Sequence, residues 1–596
     1  MVIAPLHIGL VGCGSRGLSI LERLLSISAE RPGHPVKVDI FDPHVFGSGV
    51  HWPDQPDYLL LNTVAGQLGV YPDTAALGGL PEARERSGPD FLTWCRQQDV
   101  RVDPATGAVA ETGRAVEAHD FLPRRLLGAY LADAFQALLA TVPRWVTVHL
   151  HQEQVVGVAA GDEGGYALTT ASGASVRVEH LVLTVGHTGR VRRPEAGRVS
   201  DVYPLPGTLD AVQPGEAVVV EGLGLGAMDT LAALTAGRGG RYQRMADGSH
   251  SYQPSGREPI IYIQSRDGLP FRGRPDGLTQ AARHPAIFLT SARIQALRDN
   301  TPGRRLDFDA QVLPLMLLEM RAAAVAVLHA RSDAARHLEI LEQLRLAALQ
   351  GQPDTAAAEA LLRHFEAAAG ATDVQALIRH ALPAGVSARN YHAWMYQTIE
   401  ADLQEARAGR SASAVKAAIE VWRDLRDRLR EAVDFEGLTE GSHGEFYGRW
   451  HKAINRLVAG PQKERHADLL ALSDAGLLTF LAPGASPAAT SVQRIAAYVP
   501  GSGISDSDNA AVRDLARLGL VRPRSAQAAI DGIDVDAACH PRSTQGTPVS
   551  DIWVLGPLVE GSCYYNHYVT SAGAASRLFM DAHKAAKAIL QVGTHP

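Results

Sequence analysis

Short apolar runs alternate with longer helical patterns along residues 1–270 of the chain. His7 to Gly12 (HIGLVG) and Val36 to Asp42 (VKVDIFD) are rich in β-branched and apolar residues, and RGLSILERLL between them has apolar positions at helical spacing. Glycine-rich turns separate these segments. Such alternation predicts layered α/β structure.

Between about Ala281 and Leu478 the pattern becomes helical throughout. This part is rich in Ala, Leu, Arg and Glu, with apolar residues every three or four positions. In SAVKAAIEVWRDLRDRLREAV one helical face holds Val415, Ile419, Trp422, Leu425, Leu429 and Val433. Beyond about Thr479 the mixed pattern returns, and its clearest strand lies within Val549 to Pro557. We therefore interpret the helical block as an insertion, after which the C-terminal segment completes the host domain.

Three glycines, Gly12, Gly14 and Gly17, lie between the first strand and the first helix. A GxGxxG sequence in this context predicts a dinucleotide site, because the missing side chains let the backbone approach a pyrophosphate and the helix N-terminus stabilises its charge. The next strand ends in Asp42, whose carboxylate can accept hydrogen bonds from both ribose hydroxyls of an adenosine. The alternative is a plain tight turn.

A second glycine turn has the same context. The strand EAVVVEG leads into Gly222, Gly224 and Gly226, and a helix follows. The next strand ends in Ser265 and Arg266, with no acid at that end. An acid there would repel a 2′-phosphate, whereas serine and arginine can bind it, so we interpret this turn as an NADPH site. The alternative is that Arg266 only lies on the solvated surface.

Two such turns predict two dinucleotides, FAD on the first and NADPH on the second, with hydride transfer between them. The predicted fold class is α/β, with two Rossmann-like dinucleotide-binding domains and a large all-helical insertion between them. We assign residues 1–205 and 485–596 to an FAD-binding domain and residues 206–285 to an NADPH-binding domain. Residues 286–484 form the insertion, and part of its end can return to the NADPH domain.

Composition narrows the class of protein. The formal net charge of -7, from 57 basic and 64 acidic side chains, gives no basic footprint for nucleic acid. No apolar stretch approaches the roughly 20 residues that span a bilayer, and the N-terminus lacks the basic region of a secretory signal. The four cysteines include no CxxC pair and fit buried thiols in a reducing compartment. We expect a cytoplasmic protein that binds neither nucleic acid nor a membrane.

Characteristic stretches extend over nearly the whole chain apart from most of the helical block. They are GLVGCGSRG, IFDPHVFGSGVHW, YLLLNTVAGQLGVYPD, FLPRRLLGAYL, LVLTVGHTG, EGLGLGAMD, YIQSRDGLP and VLGPLVEGSCYYNHY. Together they resemble the two-dinucleotide-domain FAD/NAD(P)-binding flavoprotein monooxygenases, most closely the nitrosuccinate-forming L-aspartate N-monooxygenases. The resemblance implies an N-hydroxylating monooxygenase that uses FAD, NADPH and O2. Through hydroperoxyflavin it would oxidise the amine of a small amino acid, with L-aspartate converted stepwise to nitrosuccinate.

The resemblance also implies roles for individual residues. It assigns the first turn with Asp42 to FAD, and the second turn with Ser265 and Arg266 to NADPH. Further FAD contacts would come from GSGVHW, LNTVAGQ and VLGPLVEG, at Gly49, His51, Trp52, Thr63, Gly556 and Glu560. Catalytic positions near the flavin would be Arg124, Asn62 and Gln67. The alternative for the two amides is that the backbone satisfies them as buried polar groups.

A dicarboxylate substrate needs guanidinium partners, because paired Arg–carboxylate contacts supply charge and orientation. The candidates follow the NADPH strand or lie at the start of the helical block: Arg272, Arg274, Arg283 and Arg293. The alternative for each is a surface arginine or a phosphate contact. We expect the helical block to build the substrate chamber.

Other functions stay open from the sequence. A flavin disulfide reductase shares the two-turn plan but needs a cysteine pair beside the flavin, and no pair has usable spacing. A flavoprotein NADPH oxidase or reductase of another substrate, or a non-catalytic dinucleotide-binding flavoprotein, are further alternatives. Cys563 and His567 lie four residues apart without further ligands nearby in the sequence, so we predict no metal site. The oligomeric state is open, with a homo-oligomer as one option.

Overall fold

The computed structural model describes most of the chain and divides it into two compact units. The described residues are 4–80, 85–162, 164–191, 195–276, 283–330, 335–351, 354–379, 381–488, 491–498, 503–525, 530, 532–566, 568–569 and 575–592. The first unit comprises Met1–Val191 and Pro500–Pro596, and the second comprises Arg192–Val499.

The strands and helices are labelled in chain order. The strands are β1 (Leu6–Val11), β2 (Val36–Phe41), β3 (Arg101–Val102), β4 (Val109–Ala110), β5 (Arg114–Ala115), β6 (Val146–His151), β7 (Val155–Ala160), β8 (Tyr166–Thr170), β9 (Ser175–Val178), β10 (His180–Leu183), β11 (Arg198–Val199), β12 (Ala217–Glu221), β13 (Arg241–Arg244), β14 (His250–Gln253), β15 (Ile260–Gln264), β16 (Leu478–Phe480), β17 (Gln493–Ala496) and β18 (Ile552–Val554). The helices are α1 (Ser15–Ala29), α2 (Phe91–Gln97), α3 (Arg124–Leu139), α4 (Leu225–Leu234), α5 (Ser291–Asp299), α6 (Leu313–Ala330), α7 (Ala335–Gln350), α8 (Ala356–Ala369), α9 (Val374–Leu377), α10 (Tyr391–Ala408), α11 (Ala414–Asp424), α12 (Arg426–Val433), α13 (Glu440–Glu445), α14 (His451–Val458), α15 (Lys463–Asp474), α16 (Ala510–Arg517) and α17 (Arg577–Val592).

The first unit is built on a parallel five-stranded sheet in the order β18-β10-β1-β2-β6. Its central strand β1 is buried on both faces, with Ile8 and Leu10 on one face and Gly9 and Val11 on the other, as expected for a parallel sheet covered on both sides. Helix α17 packs against α1, and Trp553 of β18 belongs to the same hydrophobic core as Ile8. The C-terminal strand β18 and helix α17 thus lie in one compact unit with the N-terminal strands.

Two small antiparallel sheets accompany the parallel sheet of the first unit. One has the order β4-β3-β5, and the other has the order β7-β8-β9 and packs against α16. Helix α3, with Leu127, Leu131 and Phe135 fully buried, adds to the main core.

The second unit contains another parallel sheet, in the order β11-β17-β12-β15-β16, and a β13-β14 hairpin. Helices α5 to α15 lie in the chain between β15 and β16, which are neighbours in this sheet. The helical block is thus one long connection between adjacent parallel strands. Strand β17 also belongs to this unit, although the sequence assigned residues from 485 onward to the first domain. The predicted domain functions and their limits stay predictions.

The helical block has a core of its own, in which α6 packs against α7, α8 and α11. The predicted apolar face is buried except for the partly exposed Val415, and Ile419, Trp422 and Leu429 are at 1% exposure or less. The segment forms two helices, α11 and α12, which are separated by Leu425 with φ -95° and ψ 18°.

One sequence expectation is wrong. The helical stretch Phe308–Ala330 has the length and apolar composition needed to cross a bilayer. Charged residues within it, Glu319 and Arg321, break the apolar run in the sequence. In the structure most of this stretch is buried inside the second unit, as in the core helix of a folded unit.

Candidate functional site

The first glycine turn joins β1 to α1 and leaves no room for side chains. Gly12 has φ +90°, and a Cβ on it would lie 2.6 Å from the carbonyl oxygen of Thr184 on the strand side. A Cβ on Gly17 would lie 2.3 Å from the carbonyl oxygen of Gly12. Both contacts are below van der Waals distance, so the close packing of helix on strand requires glycine at both positions.

The N-terminus of α1 faces this turn. Gly14 is its N-cap residue, with no side-chain hydrogen bond to the cap and no acid in the first helical turn. Uncapped N–H groups at a helix start, together with the helix dipole, favour a bound anion. The geometry therefore fits the pyrophosphate of a dinucleotide.

Asp42, just after β2, connects the turn to the second strand. Its Oδ2 accepts the backbone N–H of Cys13 at 2.7 Å, and its Oδ1 accepts that of His44 at 2.9 Å. A carboxylate has further lone pairs, so these two bonds leave acceptor capacity for a ribose. That ribose contact stays a prediction.

The loop of residues 47–52 lies directly against the first turn. The N–H of Gly47 donates to the carbonyl of Cys13 at 2.7 Å, and a Cβ on Gly14 would lie 3.1 Å from the Cα of Gly49. On its other side the loop contacts α3, where a Cβ on Gly128 would lie 1.5 Å from the carbonyl oxygen of His51. The first of these contacts places the predicted FAD residue Gly49 beside the turn, and the second places the predicted FAD residue His51 against α3.

Two buried polar atoms on this loop lack partners. His51 Nδ1 and Trp52 Nε1 make no hydrogen bond within the described residues. Burial, together with the charge of Arg124, lowers the pKa of His51 to about 3, so the imidazole is neutral. Unsatisfied buried donors and acceptors cost roughly 1–3 kcal/mol each, which a ligand with polar groups would recover. Both atoms fit a bound cofactor.

The predicted catalytic residues lie on two adjoining segments of the first unit. Arg124 opens α3, and its Nε donates to the carbonyl of Leu60 at 3.1 Å. Asn62 and Thr63 follow on that neighbouring segment, and Gln67 ends a short 3-10 turn; all three are partly exposed. The structure thus brings Arg124 close in space to the Leu60–Gln67 segment and to His51. Their catalytic roles stay predictions.

The C-terminal segment returns to the first turn through Arg16, a residue that the sequence interpretation missed. Its Nη2 donates to the carbonyl of Asn566 at 2.8 Å, and its guanidinium lies 5.0 Å from the ring centroid of Tyr568. A Cβ on Gly556 would lie 3.5 Å from Arg16 Cγ. The only signal for it was the arginine inside the motif GCGSRG.

The side chain of Glu560 binds backbone N–H groups of this same segment. Its two carboxylate oxygens accept the N–H groups of Tyr565 and Asn566, both at 2.8 Å. Cys563, considered above with His567, accepts a hydrogen bond from Arg577 at 3.3 Å; His567 lies outside the described residues.

The second glycine turn joins β12 to α4. Gly222 has φ +135°, and a Cβ on it would lie 2.6 Å from the carbonyl oxygen of Ala497; the same distance for Gly226 is 3.0 Å. Gly224 is the N-cap residue of α4 and has no side-chain cap, as at the first turn. A Cβ on Gly224 would lie 3.3 Å from the ring of Phe271, which therefore borders this turn.

The end of β15 carries a hydroxyl, an exposed guanidinium and an acid. Ser265 Oγ accepts the N–H of Gly268 at 3.2 Å, and Arg266 is exposed. The next residue, Asp267, is an acid, but its carboxylate pairs with Arg456. An exposed guanidinium and a hydroxyl fit a phosphate ester at this strand end.

The four predicted substrate arginines have different surroundings. Arg272 Nη1 donates to Asp402 at 3.2 Å, and Arg274 is buried. Arg283 is exposed, and Arg293 on α5 donates to the carbonyl of Asp354 at 3.4 Å. These contacts lead to separate partners, so a common substrate clamp stays a prediction.

Comparisons with known proteins agree with this geometry. A family model described as FAD-NAD(P)-binding matches residues 9–188. The L-aspartate N-monooxygenase (nitrosuccinate-forming) of Streptomyces davaonensis is 32% identical over 510 residues, covering 79% of this chain and 76% of that protein. The protein of the same name from Streptomyces cremeus is 31% identical over 517 residues, covering 81% and 75%. The nitrosuccinic acid synthase of Aspergillus oryzae is 28% identical over 615 residues, covering 95% and 89%.

Proposed function

The chain belongs to the family of nitrosuccinate-forming L-aspartate N-monooxygenases, and we propose that it oxidises the amine of L-aspartate with FAD, NADPH and O2. The observation that carries this proposal is the pair of glycine turns, each between a parallel strand and an uncapped helix, in a chain of this family. FAD belongs on the first turn and NADPH on the second. When bound, FAD takes up electrons from NADPH and supplies the activation of O2.

The first unit supplies the FAD-binding residues. Gly12, Gly14 and Gly17 give the pyrophosphate access to the N–H groups of α1, and Asp42 keeps lone pairs for the ribose. The neutral imidazole of His51 and the indole N–H of Trp52 supply polar atoms that have no hydrogen-bond partner in the described part of the chain.

The second unit supplies the residues that bind the nicotinamide dinucleotide. Gly222 and Gly224 open the N-terminus of α4 to a pyrophosphate. Ser265 and Arg266 bind the 2′-phosphate, because a guanidinium and a hydroxyl form charge-assisted hydrogen bonds with a phosphate. This chemistry selects NADPH over NADH.

The substrate must reach the site with its amine unprotonated, because only the free lone pair is nucleophilic. An α-amino group has a pKa of about 7.7–8.0, so modest desolvation or a nearby cation suffices to deprotonate it near neutral pH. Among the candidate arginines, Arg272 already neutralises Asp402, whereas Arg283 is exposed. Arg283 therefore has the stronger case as a carboxylate partner. Oxidation to nitrosuccinate requires several turnovers on one substrate.

The cysteines argue against a disulfide reductase. All four are free and buried. Burial raises the pKa of the thiols of Cys13, Cys95 and Cys539, which opposes formation of a reactive thiolate. A cytoplasmic location, the lack of nucleic-acid and membrane partners, and the oligomeric state stay predictions.

The test is coupled turnover with the purified, FAD-loaded protein. L-aspartate should raise NADPH consumption and O2 uptake together, and mass spectrometry should detect N-oxidised succinates up to nitrosuccinate. D-aspartate and L-glutamate are the matched controls, because they keep the charges and change only the geometry. NADPH oxidation that releases only hydrogen peroxide, with L-aspartate unconsumed, would contradict the proposal.

A further inference from the structure

A buried group of charges in the helical block holds the segment that follows β15. Lys416 Nζ donates to Asp402 Oδ1 at 2.7 Å and to the carbonyl of Gly273 at 2.8 Å. Asp402 Oδ2 accepts the N–H of Gly273 at 2.6 Å. Both side chains are at most 1% exposed. The two charged groups thus bind both backbone polar atoms of one glycine.

His466 on α15 completes this group, which we name the Gly273 clamp (Asp402, Lys416 and His466). It hydrogen-bonds to the backbone of Phe271, and burial lowers its pKa to about 4, so it is neutral. Burial alone would raise the pKa of the Asp402 carboxyl, but the charges of Lys416 and Arg272 outweigh burial and hold it below the ordinary value. The clamp residues come from α10, α11 and α15, three helices of the block.

The held segment borders the second glycine turn. The ring of Phe271 would lie 3.3 Å from a Cβ on Gly224, the N-cap residue of α4. The corresponding neighbour of Gly14 at the first turn is the backbone of Gly49. A backbone neighbour is fixed by its own loop, whereas a ring can rotate and keeps its place only if its backbone is held.

We propose that Asp402 and Lys416 are positioning residues for NADPH: by fixing Gly273 they hold Phe271 at the second turn, and through it the helical block sets the affinity for NADPH. This inference rests on the assignment of NADPH to the second turn. The ring shields the pyrophosphate contacts of α4 from water, which strengthens them. The two charges lie inside the helical block, and their effect on the dinucleotide passes through Phe271.

The test measures the Kd of NADP+ for the FAD-loaded enzyme by calorimetry. The main variant is Asp402→Asn with Lys416→Met, because the double change leaves neither charge buried alone. We expect about a tenfold higher Kd, the size of one lost aromatic contact, with unchanged FAD content. Phe271→Ala should raise the Kd by a similar factor, mainly through faster dissociation. Because both changes act on one contact, the clamp change should add less than about twofold in the Phe271→Ala background.

Glu319→Gln is the matched control. Glu319 is a fully buried acid of the same block, and its Oε1 accepts backbone N–H groups of Ile287, Phe288 and Leu289 at 2.7–2.9 Å. This variant should lower the melting temperature without changing the Kd of NADP+. A clamp variant that loses stability but keeps its Kd for NADP+ would overturn the inference. An unchanged Kd in Phe271→Ala would also overturn it, because Phe271 is partly exposed and its truncation is expected to spare the fold. An unmodified enzyme that fails to bind NADP+ would instead overturn the proposed function.

Discussion

The two glycine turns share one design and differ in what closes them. In the first, a Cβ on the third glycine, Gly17, would lie 2.3 Å from a carbonyl oxygen, and the neighbour of Gly14 is the backbone of Gly49. In the second, the position that corresponds to Gly17 is Ala227, which carries a Cβ, and the neighbour of Gly224 is the ring of Phe271. Backbone closure suits a cofactor that stays bound, and side-chain closure suits one that exchanges at each turnover.

The strand ends beside the two turns differ as well: the first is fixed by backbone hydrogen bonds and the second is open to solvent. Asp42 is buried and bound to two backbone N–H groups, so it belongs to the framework of the first turn. Ser265 and Arg266 lie at an open strand end, with Arg266 exposed. From their surroundings we expect the first turn to hold a resident dinucleotide and the second a mobile one.

The largest effect is expected at the third glycine of the first turn. Gly17→Ala puts a Cβ against the carbonyl of Gly12, so we expect loss of bound FAD and a free energy of unfolding lower by about 3 kcal/mol. The flavin absorbance per protein chain measures the FAD content, and urea denaturation measures the free energy of unfolding. Gly441→Ala is the control, since a Cβ there meets open space on α13. A Gly17→Ala protein with full FAD content would contradict the backbone closure of this turn.

A substitution in the second turn should weaken the binding of NADP+ without affecting the binding of FAD. Gly222→Ala adds strain at φ +135° and a contact of 2.6 Å with the carbonyl of Ala497. We expect the Kd of NADP+ to rise about a hundredfold, as for the loss of about 3 kcal/mol, while FAD remains bound. Calorimetry on the FAD-loaded protein measures this Kd. Parallel loss of FAD and NADP+ would show that the two turns are not separate sites.

A smaller effect is expected at the strand end of the second turn. Arg266→Ala removes the proposed charged partner of the 2′-phosphate, worth about 1.5–3 kcal/mol, so kcat/KM for NADPH should fall about 10- to 100-fold. Values for NADH should change little, because NADH lacks that phosphate. Steady-state kinetics with both donors give the comparison. An equal loss with NADPH and NADH would remove Arg266 from 2′-phosphate recognition.

The smallest effect concerns pH. Burial lowers the pKa of His51 in the first unit to about 3 and that of His466 in the second to about 4, from an ordinary value of 6.5. Below pH 6.5 the unfolded chain takes up protons that the folded chain excludes, so stability falls as the pH drops toward 4. Between pH 7.5 and pH 5.5, the free energy of unfolding of His466→Gln should therefore fall by about 1 kcal/mol less than that of the unmodified protein. Urea denaturation at both pH values checks it, with the exposed His119→Gln as control; equal pH dependence in all three proteins would contradict the buried neutral imidazole.

Much of the fold was predictable because its signals are local. The strands β1, β2, β12, β15 and β18 and the apolar face of α11 follow from runs and periodicity. Strand β17 was not assigned, because its short segment Gln493–Ala496 has two buried residues and its place is decided by pairing with β11 and β12. The break at Leu425 is equally a matter of packing, since the periodicity continues through it.

The site was predictable where backbone geometry demands one residue type. Gly12, Gly17 and Gly222 are of this kind, because any side chain would clash. Arg16 and Phe271 were missed because each acts through a residue far along the chain, Asn566 for the former and Gly224 for the latter. Such contacts leave no pattern in a single sequence.

The most direct measurement is a titration of NADP+ into the purified protein with FAD followed at the same time. We predict one FAD retained per chain through gel filtration and one NADP+ bound in addition, with no flavin released at saturation. Displacement of FAD by NADP+, or binding of both at a single shared site, would contradict the assignment of two separate dinucleotide turns.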